Sequence, residues 1–114
     1  MLTTQWGQFY MENLEEDIPG TGELTPVFSI DNGEYDWVQL LVLFSSRDKK
    51  FYWLNSRGCA CCDTPSDGIK SVKNLPSGDL FAVKSTLRVF LKNHPALLTE
   101  EEQRKAFSKL KKQK

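Results

Sequence analysis

The chain has 114 residues, 15 Lys and Arg balanced by 15 Asp and Glu, 39% hydrophobic and 11% aromatic residues. That length bounds it to one hydrophobic core, here residues 1–114 as a single domain, and the aromatic content excludes a disordered chain. Its longest apolar run, Leu40 to Phe44, is far short of the roughly 20 residues that cross a bilayer, so no membrane is expected among its partners.

Residues 1–34 read as a largely irregular acidic arm. Turn signals recur at Pro19-Gly20, Thr21-Gly22, Pro26 and Asn32-Gly33, while Trp6, Phe9, Tyr10, Met11 and Leu14 supply apolar surface for a short helix or strand packed on the body. Residues 35–98 read as the core. A short extended piece at 27–30 leads into Asn32-Gly33, whose flanking residues predict a hairpin. The clearest strand follows at 37–45. There Val38, Leu40, Val42 and Phe44 alternate with Trp37, Gln39, Leu41 and Leu43, so both faces are largely apolar and a central strand covered on both sides is expected. The polar stretch Ser46 to Lys50 turns the chain into a third strand at 51–55, rich in aromatics, and residues 55–68 form a loop that holds all three cysteines.

Two C-terminal helices complete an α+β fold around this small antiparallel sheet. The first spans about 78–93: Leu80, Val83, Leu87, Phe90 and Leu91 keep helical spacing, with Lys84, Arg88 and Lys92 on another face. Ser77 and Asp79 are its candidate N-caps, and Asn93-His94-Pro95 stops it. The second spans about 99–112. Thr99-Glu100-Glu101-Glu102 forms a capping box, in which the Thr hydroxyl accepts from the backbone three residues on and Glu102 reaches back. Its acidic start and basic end suit the helix dipole. Only Ala106, Phe107 and Leu110 offer an apolar stripe, so residues 99–114 are expected to pack peripherally.

The charge balance conceals a polarity. Residues 1–46 hold eight carboxylates and no Lys or Arg, and every basic residue lies beyond them. The acidic arm either folds over the basic helices, faces a separate partner through Glu12, Glu15, Glu16 and Asp17, or meets the basic part of another copy to give a homo-oligomer. Three cysteines cannot pair fully within one chain, and Met1 to Tyr10 lacks the pattern of a secretory signal; a reducing, cytoplasmic location follows as the expectation.

Chemistry-bearing constellations are sparse. Cys59, Cys61 and Cys62, with His94 or Asp63 as a fourth ligand, satisfy the count for zinc, but the paired thiols two residues apart that build a zinc knuckle are missing. The competing reading is that these small residues pack a tight loop and that His94 caps helix carbonyls with its imidazole; no cofactor is then required. No nucleophile elbow, phosphate loop or H-E-x-x-H pattern occurs, which argues against an enzyme. The basic helices, with Lys105, Lys109, Lys111 and Lys112 at the end, offer a nucleic-acid surface, weakened by the neutral overall charge and by Glu100 to Glu102.

Tyr35-Asp36-Trp37, two strands, Gly58-Cys59-Ala60-Cys61, Asp63-Thr64-Pro65 and Ile69-Lys70-Ser71-Val72 together resemble a family of small bacteriophage proteins, chiefly from phages of actinobacteria. The resemblance covers roughly residues 35–90; Cys62 departs from it, and the acidic arm has no counterpart in it. It implies a phage accessory gene acting in the host cytoplasm and brings no activity with it. The leading expectation is a non-enzymatic protein that binds and modulates or inhibits a host or defence protein through its acidic arm or exposed aromatics. The alternatives are a metal- or nucleic-acid-binding regulator and a structural homo-oligomer.

Overall fold

A computed structural model describes residues 18–31, 36–59 and 70–113. Strands β1 (Thr25–Asp31), β2 (Asp36–Ser45), β3 (Lys50–Cys59) and β4 (Ser77–Gly78) form one antiparallel sheet in the order β1-β2-β3-β4, and helices α1 (Leu80–Asn93) and α2 (Glu100–Lys111) follow. The architecture is the expected α+β layout.

The run of β-branched, leucine and aromatic residues in β2 makes it an interior strand. All of Leu40 to Phe44 is buried, because the sheet is covered on both faces. β1 lies at an edge, where a proline costs no ladder hydrogen bond on the open side, and it therefore starts earlier than expected and includes Pro26. A register shift between Pro26 and Phe28 marks a bulge. The hairpin from β2 to β3 is closed by Ser45: its carbonyl accepts the Lys49 N–H at 2.7 Å and its hydroxyl accepts the Asp48 N–H at 3.0 Å. Lys49 takes the left-handed conformation, φ 57°, that brings the chain back into register.

Register sorts the side chains onto two faces. On one, Phe28, Ile30, Leu40, Val42, Phe44, Phe51 and Trp53 meet Val83, Leu87, Phe90 and Leu91 of α1 and Ala106 and Leu110 of α2. Each Val, Leu, Ile or Phe side chain among them, fully buried, contributes roughly 1.5–3 kcal/mol of transfer free energy. On the other face Leu41, Leu43 and Leu54 are covered by Ile18 and Leu75. That cover is tied together where the Val72 N–H donates to the Pro19 carbonyl at 3.0 Å.

Three elements depart from the sequence expectation. β3 continues to Cys59 instead of looping from residue 55, because β2 offers an unbroken ladder as far as the Asp36 and Cys59 pair. Ser77 does not cap α1; it pairs with Tyr52 in β4, and Asp79 caps the helix by accepting the Ala82 N–H at 2.9 Å. α2 is not peripheral: Ala106 and Leu110 are buried in the same core as α1. Its capping box forms as expected, with the Glu102 N–H to Thr99 Oγ1 and the Thr99 N–H to Glu102 Oε1 both at 3.1 Å. The Asn32-Gly33 turn lies outside the described residues.

Candidate functional site

The sequence-expected site residues do not converge among the described residues. Glu12, Glu15, Glu16 and Asp17, and likewise Cys61 and Cys62, lie outside them. Cys59 ends β3 opposite Asp36. His94 closes α1, but its backbone N–H, rather than its imidazole, meets the terminal carbonyls, at 3.0 Å from Phe90 O and 3.3 Å from Leu91 O. The imidazole instead packs against the Phe90 ring, with centroids 5.0 Å apart. No group of three or more metal-capable side chains occurs among the described residues. Lys105 is partnered by Glu101 at 3.9 Å, one helical turn away, and Lys109, Lys111 and Lys112 are exposed at the end of α2. Two exposed carboxylates in the first turn, Glu100 and Glu101, and four cations beyond them make α2 a mixed surface, unlike a continuous phosphate-binding strip.

The outward face of α1 is different. Its inward residues leave Phe81, Ser85, Arg88, Val89 and Lys92 on the opposite stripe, spaced by four, three, one and three positions as a helix requires. Phe81 is 73% exposed and Val89 57%, the large apolar side chains left in solvent among the described residues. α1 contains no Asp or Glu, so the charges of this stripe are all positive. The Arg88 guanidinium carbon lies 5.8 Å from the centre of the Phe107 ring of α2, a cation–π contact between the two helices. Sequence reading placed Arg88 and Lys92 on a polar face but passed over Phe81 and Val89. The available signal was their phase: both fall outside the buried stripe that Val83, Leu87, Phe90 and Leu91 define.

Two other places merit comparison. On the sheet face away from the helices, Asp31, Gln39 and Ser56 stand side by side on three strands, in register. Gln39 is 1% exposed and donates from Nε2 to Ser29 Oγ at 3.1 Å, while its Oε1 and Ser56 Oγ are buried with no hydrogen-bond partner. Farther along the same face, a groove of about 390 Å³ is lined by Gly20, Glu23, Leu24, Ser45, Arg47, Asp48, Tyr52 and Val72. Arg47 lies 3.6 Å from both Glu23 and Asp48, in ion pairs that stand in solvent.

No protein-family model matches the chain, and neither a curated protein nor a solved structure matches it. No described helix is long and apolar enough to cross a membrane.

Proposed function

We propose that this chain is a non-enzymatic protein-binding module, a phage accessory protein that modulates or inhibits a host or defence protein in the host cytoplasm. The observation that carries the reading is the outward stripe of α1. An isolated exposed apolar side chain is ordinary; Phe81 and Val89 on one stripe, interleaved with Arg88 and Lys92, make a patch. Aromatic and Arg side chains dominate binding hot spots, and burial of a phenylalanine contributes roughly 1.5–3 kcal/mol that folding alone has left unused here. The phage setting is supported by the resemblance in residues 35–90, and the non-enzymatic reading by a sequence without nucleophile elbow, phosphate loop or H-E-x-x-H pattern.

The test is affinity capture from nuclease-treated bacterial lysate, read by mass spectrometry, with the wild-type chain beside a Phe81→Ser/Val89→Ser variant. The wild type is expected to recover one dominant host protein, and the variant at least about tenfold less of it, with an unchanged circular dichroism spectrum. Equal recovery by both proteins, or recovery of bait alone, overturns the reading.

A further inference from the structure

The exposed face of α1 carries two rows side by side. Phe81, Ser85 and Val89 form one and Lys84, Arg88 and Lys92 the other, each advancing by four positions, roughly 6 Å of helix per step. The cationic row continues onto α2. Arg88 meets the Phe107 ring, and Arg104 and Lys111, three positions before and four after Phe107, share its face of α2 and are exposed. Arg47 and Lys105 have carboxylate partners, whereas among the described residues none of these five cations enters an ion pair. We infer that this surface takes an acidic amphipathic helix of the partner, with carboxylates on the cationic row and an apolar ridge against Phe81 and Val89.

Five cations gathered on two helices without counter-charge repel one another, and a ligand bearing carboxylates relieves that repulsion as it binds. The apolar row decides what else the ligand carries. A phosphate backbone would satisfy the cations but leave Val89 in water and give Phe81 only a base to stack on, whereas an amphipathic helix covers both rows at once. The rows are ridges of α1, and the small Ser85 leaves a dip between Phe81 and Val89 into which a ridge of a second helix packs. Glu100, seven positions before Phe107 and on the same face of α2, bounds the cationic row at that end. The inference rests on the reading of the α1 face as a docking surface and adds the chemistry of what docks there.

Fluorescence anisotropy of a labelled peptide titrated with the full chain tests it. The probe is a helical peptide of about 20 residues, with leucine along one face and glutamate along the next; the same peptide with glutamine for glutamate, and an oligothymidylate strand, are its comparisons. The glutamate peptide is expected to bind, more weakly as salt rises, and the glutamine peptide to bind at least about tenfold less tightly. Arg88→Glu/Lys92→Glu and Phe81→Ser/Val89→Ser should each weaken the glutamate peptide about tenfold or more, with an unchanged circular dichroism spectrum; Arg88→Gln/Lys92→Gln replaces the reversal if that variant does not fold. The charge-reversed chain should in turn prefer a peptide with lysine for glutamate. Equal binding of the glutamate and glutamine peptides overturns the inference, as does tighter binding of the oligothymidylate. A chain that ignores the glutamate peptide but captures a host protein through Phe81 and Val89 overturns the inference alone, and one that binds the peptide but captures no host protein overturns the accessory-protein reading alone.

Discussion

The two faces of the sheet are built on different terms. Beneath the helices, Ile30, Leu40, Val42, Phe44 and Phe51 meet Val83, Leu87, Phe90, Ala106 and Leu110, and the polar side chain buried on that stripe of α2, Glu102, is engaged at the helix start by the Thr99 N–H. The opposite face is apolar over part of its length, at Leu41, Leu43 and Leu54, and polar over the rest, where Ser29, Asp31, Gln39 and Ser56 are gathered. Its apolar part is covered by short segments around Ile18 and Leu75, each with a single 3-10 turn (Thr21–Glu23 and Val72–Asn74), rather than by an α-helix. The helical face therefore supplies most of the cooperativity of folding, and the other face is where local opening costs least.

The largest effect should come from the helical face. Leu87 is fully buried, and Leu87→Ala removes its transfer free energy and leaves a cavity, for an expected loss of about 2–5 kcal/mol in urea denaturation. A loss under about 1 kcal/mol would reverse the ranking of the two faces. Gly20 tests the cover of the second face. Its φ of 98° is one that only glycine adopts readily, and a Cβ there would come 2.7 Å from Val72 Cγ1. Gly20→Ala is expected to cost about 1–3 kcal/mol. Hydrogen exchange should also quicken more at Leu24 N–H and Val72 N–H, whose acceptors flank Gly20 at Thr21 O and Pro19 O, than at the amides of α1. Quickening spread evenly over α1 would show that the two faces open together.

How much of this was legible in the sequence depended on how local the determinant is. The Thr99 capping box and the Asp79 cap are settled within four residues, and reading them required no tertiary knowledge. The covered character of β2 was visible in its two apolar phases. β4 was not legible: Ser77 and Gly78 carry no strand propensity, and they pair because the Trp53 N–H reaches the Pro76 carbonyl at 3.1 Å and draws the chain alongside β3. The last residues of β3 were read as loop because Gly58 and Cys59 lack strand character, yet a ten-pair ladder with β2 carries them. Sites follow the same rule. The α1 stripe was available from helical phase alone, whereas Asp31, Gln39 and Ser56 lie on three strands and become neighbours only through register, which no local pattern specifies.

The smallest effect, and the sharpest test of the second face, lies in that polar row. Gln39→Met removes a buried amide oxygen that has no partner, which is favourable, but it also takes from the buried Ser29 hydroxyl the donor 3.1 Å away, which is not. The single substitution should cost about 1 kcal/mol, within the range for an orphaned buried hydroxyl. Ser29→Ala alone orphans the amide nitrogen as well and should cost about 1–2 kcal/mol. Combining them leaves neither group behind, so the double variant should return to within about 0.5 kcal/mol of the wild type, a coupling that a double-mutant cycle in urea measures directly. Simple addition of the two losses would mean that Gln39 and Ser29 each serve separate contacts. The contrast between the faces would then be one of different networks, rather than of a filled core against a single local hydrogen bond.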